Sequence, residues 1–153
     1  QLDIPLIAAG GIATGKGMLA AMVLGADGVQ VGSRFVACDE SSAHIRFKKK
    51  VTKAQDGDTF LTLKELAPVR LLKNKFSDEL LALYKTNPSK QELLNLLGRA
   101  RAKKGMFEGD LEDGELEIGQ ISGLINEIKP AADIVNEMIA EFELEKLKVR
   151  NLF

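Results

Sequence analysis

IPLIAAGG at residues 4–11 and GVQVGS at residues 28–33 are the two stretches that decide the fold of this chain. Both are apolar and lack polar alternation, which is typical of strands buried on both faces, as in a parallel sheet. Between them, Thr14 is placed to cap a helix that reaches about Leu24, and Gly25 stands where a helix-ending glycine belongs. Residues 4–33 therefore predict one β–α–β unit of an α/β fold.

The glycines after the first predicted strand allow three interpretations as a phosphate site. GxxxxGK occurs at residues 10–16, but Gly17 follows where a P-loop needs Ser or Thr to hold magnesium. Gly15-x-Gly17-x-x-Ala20 has the letters of a dinucleotide fingerprint. Its first glycine should lie at the turn between strand and helix, whereas Gly15 is expected inside the first helical turn. Both interpretations are weak.

The third interpretation is a barrel phosphate site. In (β/α)₈ barrels a phosphate is often bound by the loops after strands seven and eight. Here the two predicted strands end in Gly10-Gly11 and Gly32-Ser33, where backbone N–H groups can approach phosphate oxygens and the serine adds a hydroxyl. Arg34 either adds charge or makes a buried structural contact. Tight turns without a ligand remain the alternative for these glycines.

The composition removes several classes of function. With 21 basic and 22 acidic residues the net charge is −1, without the basic excess of a nucleic-acid-binding protein. The single Cys and single His exclude a disulfide framework and paired-histidine metal motifs, so we expect no metal site. No apolar run approaches the roughly 18 residues of a membrane span. No signal peptide is visible at Gln1-Leu2, so we expect a cytoplasmic protein without membrane partners.

The remainder of the chain reads as mainly helical. We predict a helix from Ser41 or Ser42 to about Ala54 with a solvated lysine-rich face, and an extended piece at residues 59–62. Further helices are predicted at residues 78–85 and 89–104, the latter with a capping box, and from Pro130 onward. The acidic segment 108–117 is expected to be an exposed loop. In the last helix we expect a packed face. Its apolar residues are Ile134, Val135, Met138, Ile139 and Phe142.

Three segments carry a resemblance to a known family: residues 4–12 (IPLIAAGGI), 25–35 (GADGVQVGSRF) and 114–125 (GELEIGQISGLI). Together they resemble the end of the barrel in the nitronate monooxygenase (2-nitropropane dioxygenase) family. The last segment is characteristic of one branch, the FMN-dependent enoyl-acyl-carrier-protein reductases of fatty-acid synthesis. The resemblance covers nearly the whole chain.

The resemblance implies an FMN flavoprotein reduced by NAD(P)H. It places the FMN phosphate at Gly10, Gly11, Gly32 and Ser33, where the family usually has Thr in place of Ser33, and it brings Gln120 near the flavin. The implied fold is the last two strands of a TIM (β/α)₈ barrel, in residues 1–55, followed by a mostly helical subdomain, in residues 56–153. Since a whole barrel takes roughly 250 residues, we expect the chain to be a fragment.

The family's catalytic histidine would lie upstream of this fragment, so we expect no catalytic residue here. His44 and Cys38 are interpreted as packing residues. The first functional hypothesis is an enoyl-acyl-carrier-protein reductase acting on a carrier-linked or small-molecule substrate. The alternatives are a nitronate monooxygenase and, in another class, a non-catalytic module that binds a phosphate ligand. A homodimer is left open.

Overall fold

The computed structural model describes residues 3–151. Four short strands are present among them. They are β1 (Ile7–Ala9), β2 (Gly28–Gln30), β3 (Thr59–Thr62) and β4 (Val69–Leu72). Six α-helices connect and follow them. They are α1 (Gly15–Val23), α2 (Ser33–Val36), α3 (Ile45–Val51), α4 (Lys75–Tyr84), α5 (Lys90–Leu97) and α6 (Ala131–Arg150). A π-helical turn (Lys103–Phe107) and a 3₁₀ helix (Gln120–Leu124) lie between α5 and α6.

The predicted β–α–β unit is confirmed. Strands β1 and β2 pair in parallel, with Ile7 opposite Gly28 and Ala9 opposite Gln30, and α1 connects them. The strands are shorter than predicted. Leu6 and Ile7 are 50% and 53% exposed instead of buried on both faces, because this sheet has only two strands within residues 3–151. The strands thus have the apolar sequence of a buried sheet, but their side chains are exposed to solvent.

Helix α1 begins as predicted, and it packs against α6. The Thr14 side chain caps α1 by accepting the N–H of Gly17 at 3.1 Å. Gly15 lies so close to α6 that an added Cβ would collide with the backbone of Met138 and Phe142. The Gly15 N–H is also donated to the Glu141 carboxylate at 2.7 Å. The first turn of α1 is therefore fixed by a helix that lies far along the chain.

The face that α6 buries is narrower than the apolar pattern predicted. Ile134 and Met138 are 1% and 8% exposed, in a core with Ile12 and Cys38. Val135 and Ile139 were expected to pack as well, but they are 42% and 51% exposed. The predicted boundary at residue 55 stays a prediction; the packing adds that α6, beyond this boundary, contacts α1 before it.

A second core lies beneath the antiparallel hairpin formed by β3 and β4, in which Thr59 pairs with Leu72. Its fully buried side chains come from the hairpin and from α4 and α5. They are Leu63, Leu71, Phe76, Leu80 and Leu93. Helix α4 begins earlier than predicted because Asn74 and Ser77 form a capping box. The capping box of Ser89 and Glu92 is confirmed, but α5 ends at Leu97, since Gly98 follows with φ of 65°.

The acidic segment 108–117 is not the exposed loop that its composition predicted. Asp110 accepts the N–H groups of Glu112 and Asp113, and these bonds together with Lys104 lower its pKa to about 2. Glu115 is 6% exposed. Burial, with the charge of Glu117 second, raises the pKa of Glu115 to about 7. The end of the segment is buried because Leu116 packs, fully buried, in a further hydrophobic core.

The solvated lysine face predicted for the helix before residue 54 is corrected at one position. Lys48 is 5% exposed, and its Nζ donates to the carbonyl oxygens of Cys38 at 2.7 Å and Asp39 at 3.2 Å. The helix itself is shorter than predicted and starts after His44. None of the helices within residues 3–151 combines the length and the apolarity that a membrane span requires.

Candidate functional site: two glycine loops and an adjoining cavity

The two glycine loops predicted to bind phosphate lie side by side. Because β1 and β2 are parallel, Gly10-Gly11 and Gly32-Ser33 follow the strands at the same edge of the sheet. Together they line a cavity of about 310 Å³. Its other lining residues come from the strand ends and from the C-terminal part of the chain. They are Ala9, Ile12, Gln30, Gly119 and Ile121. The lining carries no charged side chain.

The backbone of these loops leaves room and donors for an anion. Gly10 and Gly11 have φ of 86° and 71°, in the left-handed region that glycine adopts without strain. An added Cβ at Gly10, Gly11 or Gly32 would meet no atom within 4 Å. Within the described residues no hydrogen bond engages the N–H groups of Gly11, Gly32 or Ser33. These three N–H groups can therefore donate hydrogen bonds to the oxygen atoms of a ligand.

Ser33 joins the loop to the C-terminal half of the chain. Its Oγ accepts the N–H of Gly119 at 3.0 Å and retains its own proton for donation. A Cβ on Gly119 would lie 2.6 Å from that Oγ, so this close approach needs glycine. Gly119 was not among the predicted site residues, although it stands beside Gln120 in the segment 114–125 that carried the resemblance.

Gln120 lies in a larger cavity next to the first. This cavity, of about 510 Å³, is lined by Gly11, Asp56, Gln120, Ile121, Gly123 and Leu124. Gly11 and Ile121 line both cavities, so the two adjoin. The structure thus brings Gln120 to the same concave region as the glycine loops. Asp56, which sequence analysis did not single out, is the one charged residue in the lining.

Arg34 makes a buried structural contact and does not supply charge to the cavity between the glycine loops. It is 8% exposed, and its guanidinium donates to the carbonyl oxygen of Glu127 at 3.5 Å. It lines a separate cavity with Glu137 and Glu141. An anion between the glycine loops would therefore be held by backbone N–H groups and the Ser33 hydroxyl.

The remaining candidates from the sequence fall outside the two cavities. Gly15 and Gly17, which are part of the P-loop and dinucleotide sequence patterns, lie in α1. His44 caps α3, with its Nδ1 accepting the N–H of Arg46 at 3.2 Å, and its ring lies against Gly109. Cys38 is a buried free thiol in the core beneath α6. Within residues 3–151 no group of three or more His, Cys, Asp or Glu is placed to hold a metal ion.

Comparison with known proteins shows the family of this chain. The sequence profile of the family described as Nitronate monooxygenase matches residues 1–141, and the chain belongs to that family. A probable nitronate monooxygenase of Bacillus subtilis is 35% identical over 142 residues, covering 92% of this chain and 40% of the relative. The corresponding protein of Staphylococcus saprophyticus is 34% identical, covering 89% of this chain and 38% of the relative.

Two solved structures are similar over nearly the whole chain. FabK from Thermotoga maritima has a TM-score of 0.89 and 40% identity, covering 99% of this chain and 48% of FabK. Nitroalkane oxidase from Streptomyces ansochromogenes has a TM-score of 0.77 and 30% identity, covering 97% and 42%. The chain has an α/β fold similar to those of both enzymes, and it spans less than half of the length of each.

Proposed function

We propose that this chain belongs to an FMN-dependent NAD(P)H oxidoreductase of the enoyl-acyl-carrier-protein reductase type and supplies the site for the FMN phosphate. The observation that carries the proposal is the meeting of Gly10-Gly11 and Gly32-Ser33 at one edge of a parallel sheet. The similarity to FabK supports the reductase branch.

The residues present fit a flavin phosphate. The three N–H groups and the Ser33 hydroxyl can donate hydrogen bonds to a phosphate, and no carboxylate residue lines the cavity to repel it. Open space beyond Gly10, Gly11 and Gly32 lets a bulky group approach the backbone closely. The combined cavities have the size range of cofactor pockets, roughly 300–1,000 Å³. Ile121 and Leu124 supply apolar surface next to Gln120.

In this proposal the chain binds and orients, and the cofactor carries the redox chemistry. Bound FMN would supply two-electron transfer between NAD(P)H and an enoyl thioester. Gly11, Gly32 and Ser33 would hold the phosphate through their N–H groups. Ser33, fixed by its bond to Gly119, would donate a hydrogen bond from its hydroxyl to a phosphate oxygen. Gln120 lines the larger cavity beside the apolar residues Ile121 and Leu124.

The place of the chain in a whole barrel belongs to the same proposal. We assign β1 and β2 to the last two strands of a TIM barrel in residues 1–55, and residues 56–153 to a mostly helical subdomain. The support is that the chain spans about two fifths of its curated relatives and that Leu6 and Ile7 are exposed. Barrel closure links strand number, tilt and stagger, so two strands need the others. The catalytic histidine would lie in that other part.

A nitronate monooxygenase is the second candidate, and the family name and the names of the curated relatives favour it. The two candidates share the proposed flavin site and differ in the oxidant. The test is turnover by the intact enzyme. NAD(P)H-dependent reduction of a crotonyl thioester supports the reductase, whereas oxygen uptake with a nitronate supports the monooxygenase. If neither occurs, a non-catalytic phosphate-binding module is the remaining reading.

The phosphate site itself is tested by Gly11→Val in the intact protein. Valine would place its side chain in the cavity and strain the backbone, so we expect FMN affinity to fall at least about tenfold. Gly25→Val is the matched control, because Gly25 also has a positive φ (104°) and open space but lines neither cavity. Flavin fluorescence measures retention. Equal retention by the two variants would contradict the assignment.

A further inference from the structure

The cavity that Arg34 lines lies apart from the candidate flavin site, between α1, α2 and α6, and has a volume of about 160 Å³. That is roughly the volume of five water molecules at about 30 Å³ each. Thr14, at the start of α1, and Asn126, between the 3₁₀ helix and α6, also line it. Its lining includes three glutamates as well. They are Glu127, Glu137 and Glu141. We call this cavity the arginine pocket.

Arg34 is buried without a counter-ion in the described part of the chain. It is 8% exposed, and its guanidinium makes one hydrogen bond within residues 3–151, the bond of 3.5 Å to the Glu127 carbonyl oxygen. No carboxylate oxygen in the same range lies within 4.0 Å of a guanidinium nitrogen. Most of its N–H groups therefore have no acceptor among these residues. Because burial of an unpaired charge is unfavourable, Arg34 requires an anionic partner.

The glutamates of the arginine pocket are engaged by other groups. Lys129 Nζ lies 2.6 Å from Glu127 Oε1 and 2.5 Å from Glu137 Oε1. The third carboxylate, that of Glu141, accepts the Gly15 N–H at 2.7 Å. The side chains of Glu127 and Glu137 are more than half exposed, so water weakens their repulsion of an anion in the pocket. The charge that remains unmatched is therefore that of the buried guanidinium.

We propose that the arginine pocket binds a small monocarboxylate, about the size of acetate, whose oxygen atoms accept hydrogen bonds from Arg34. A planar guanidinium matches a carboxylate because parallel N–H groups reach both of its oxygen atoms. Thr14 Oγ1 accepts the Gly17 N–H and keeps its own proton for the ligand, and the Asn126 amide is a further donor. The nearby glutamates favour a singly charged ligand over a phosphate dianion. This inference goes beyond the proposed oxidoreductase function, because the pocket requires no flavin.

The experiment titrates the intact protein with acetate, with ionic strength held constant by sodium chloride. Binding is measured from the broadening of the acetate methyl NMR signal and from a saturable rise in Tm. Acetamide, the neutral analogue, should produce neither effect. For Arg34→Met we expect acetate affinity to fall at least about tenfold. The matched control is Arg70→Met, because Arg70 also donates to a carbonyl oxygen, that of Thr59 at 3.3 Å, but does not line the pocket. It should bind acetate like the wild type.

Stability without acetate gives a second, independent readout. Arg34→Met should then be at least as stable as the wild type, since it removes an unpaired buried charge. A large loss of stability would show that Arg34 has its partner inside the intact protein, which overturns the proposal. Glu137→Gln removes a negative charge from the lining and should strengthen acetate binding. No acetate binding by the wild type, equal binding by Arg34→Met, or tighter binding of inorganic phosphate than of acetate would each overturn the monocarboxylate site.

Discussion

Replacing Gly15 by alanine tests a close contact between α1 and α6. An alanine Cβ would collide with the carbonyl oxygen of Met138 and the amide nitrogen of Phe142, and it would lie 2.8 Å from Glu141 Cβ. Two of these atoms belong to the backbone and cannot turn away. The helices must therefore separate, which also weakens the bond from the Gly15 N–H to Glu141.

The loss of stability in Gly15→Ala is judged against a control variant, Gly17→Ala, two residues along the same helix. A Cβ on Gly17 would meet Thr14 Oγ1 at 3.4 Å and Ile12 Cγ2 at 3.7 Å, which is ordinary contact. Both variants gain up to about 1 kcal/mol of helix propensity. The collision costs roughly 3 kcal/mol, at the upper end of overpacking. We therefore expect Gly15→Ala to be about 2 kcal/mol less stable than wild type, and Gly17→Ala to be equal or more stable.

The free energy of unfolding of the two variants, from urea denaturation of the intact protein followed by circular dichroism, measures the difference directly. Flavin retention by both variants adds a second readout, because a P-loop or dinucleotide site at these glycines would lose its ligand in Gly17→Ala. Equal stability of the two variants would refute the packing argument. Loss of flavin in Gly17→Ala with unchanged stability would instead support a ligand-binding role for Gly15 and Gly17.

Two further predictions concern the core and the junction with the phosphate loop. The pKa of Glu115 is raised from 4.5 to about 7, so its stabilising contribution is complete below pH 4.5 and is lost as the pH rises through about 7. Glu115→Gln should remove this pH dependence and raise the free energy of unfolding at pH 8, measured by urea denaturation, by up to about 3 kcal/mol. A pH profile of stability equal to that of the wild type would contradict the burial argument. Gly119→Ala should displace Ser33 and reduce FMN affinity about tenfold in a flavin titration. Gly17→Ala, whose added Cβ makes contacts of 3.4 Å or more and which lines neither cavity, should not; equal affinities would count against the Ser33 junction.

The sequence by itself determined the elements whose causes are local. Continuous apolar runs, a threonine cap and closing glycines lie within a few residues of each other, and they predicted β1, α1 and β2. The same local reasoning found the capping box at Ser89 and the glycine loop that closes β1 at residues 10 and 11. Because parallel strands end at one edge, it also predicted that the two glycine loops would meet.

Only the tertiary structure decided the roles that depend on distant partners. Gly15 is needed for α6, whose Glu141 is 126 residues away, and Ser33 is held by Gly119, 86 residues away. Glu115 and Lys48 look like solvated charges in their sequence neighbourhoods, yet packing buries both. The exposure of Val135 and Ile139 likewise depends on which elements lie beside α6. A sequence pattern reports on its own neighbours along the chain, whereas burial and contact are properties of segments that folding brings together.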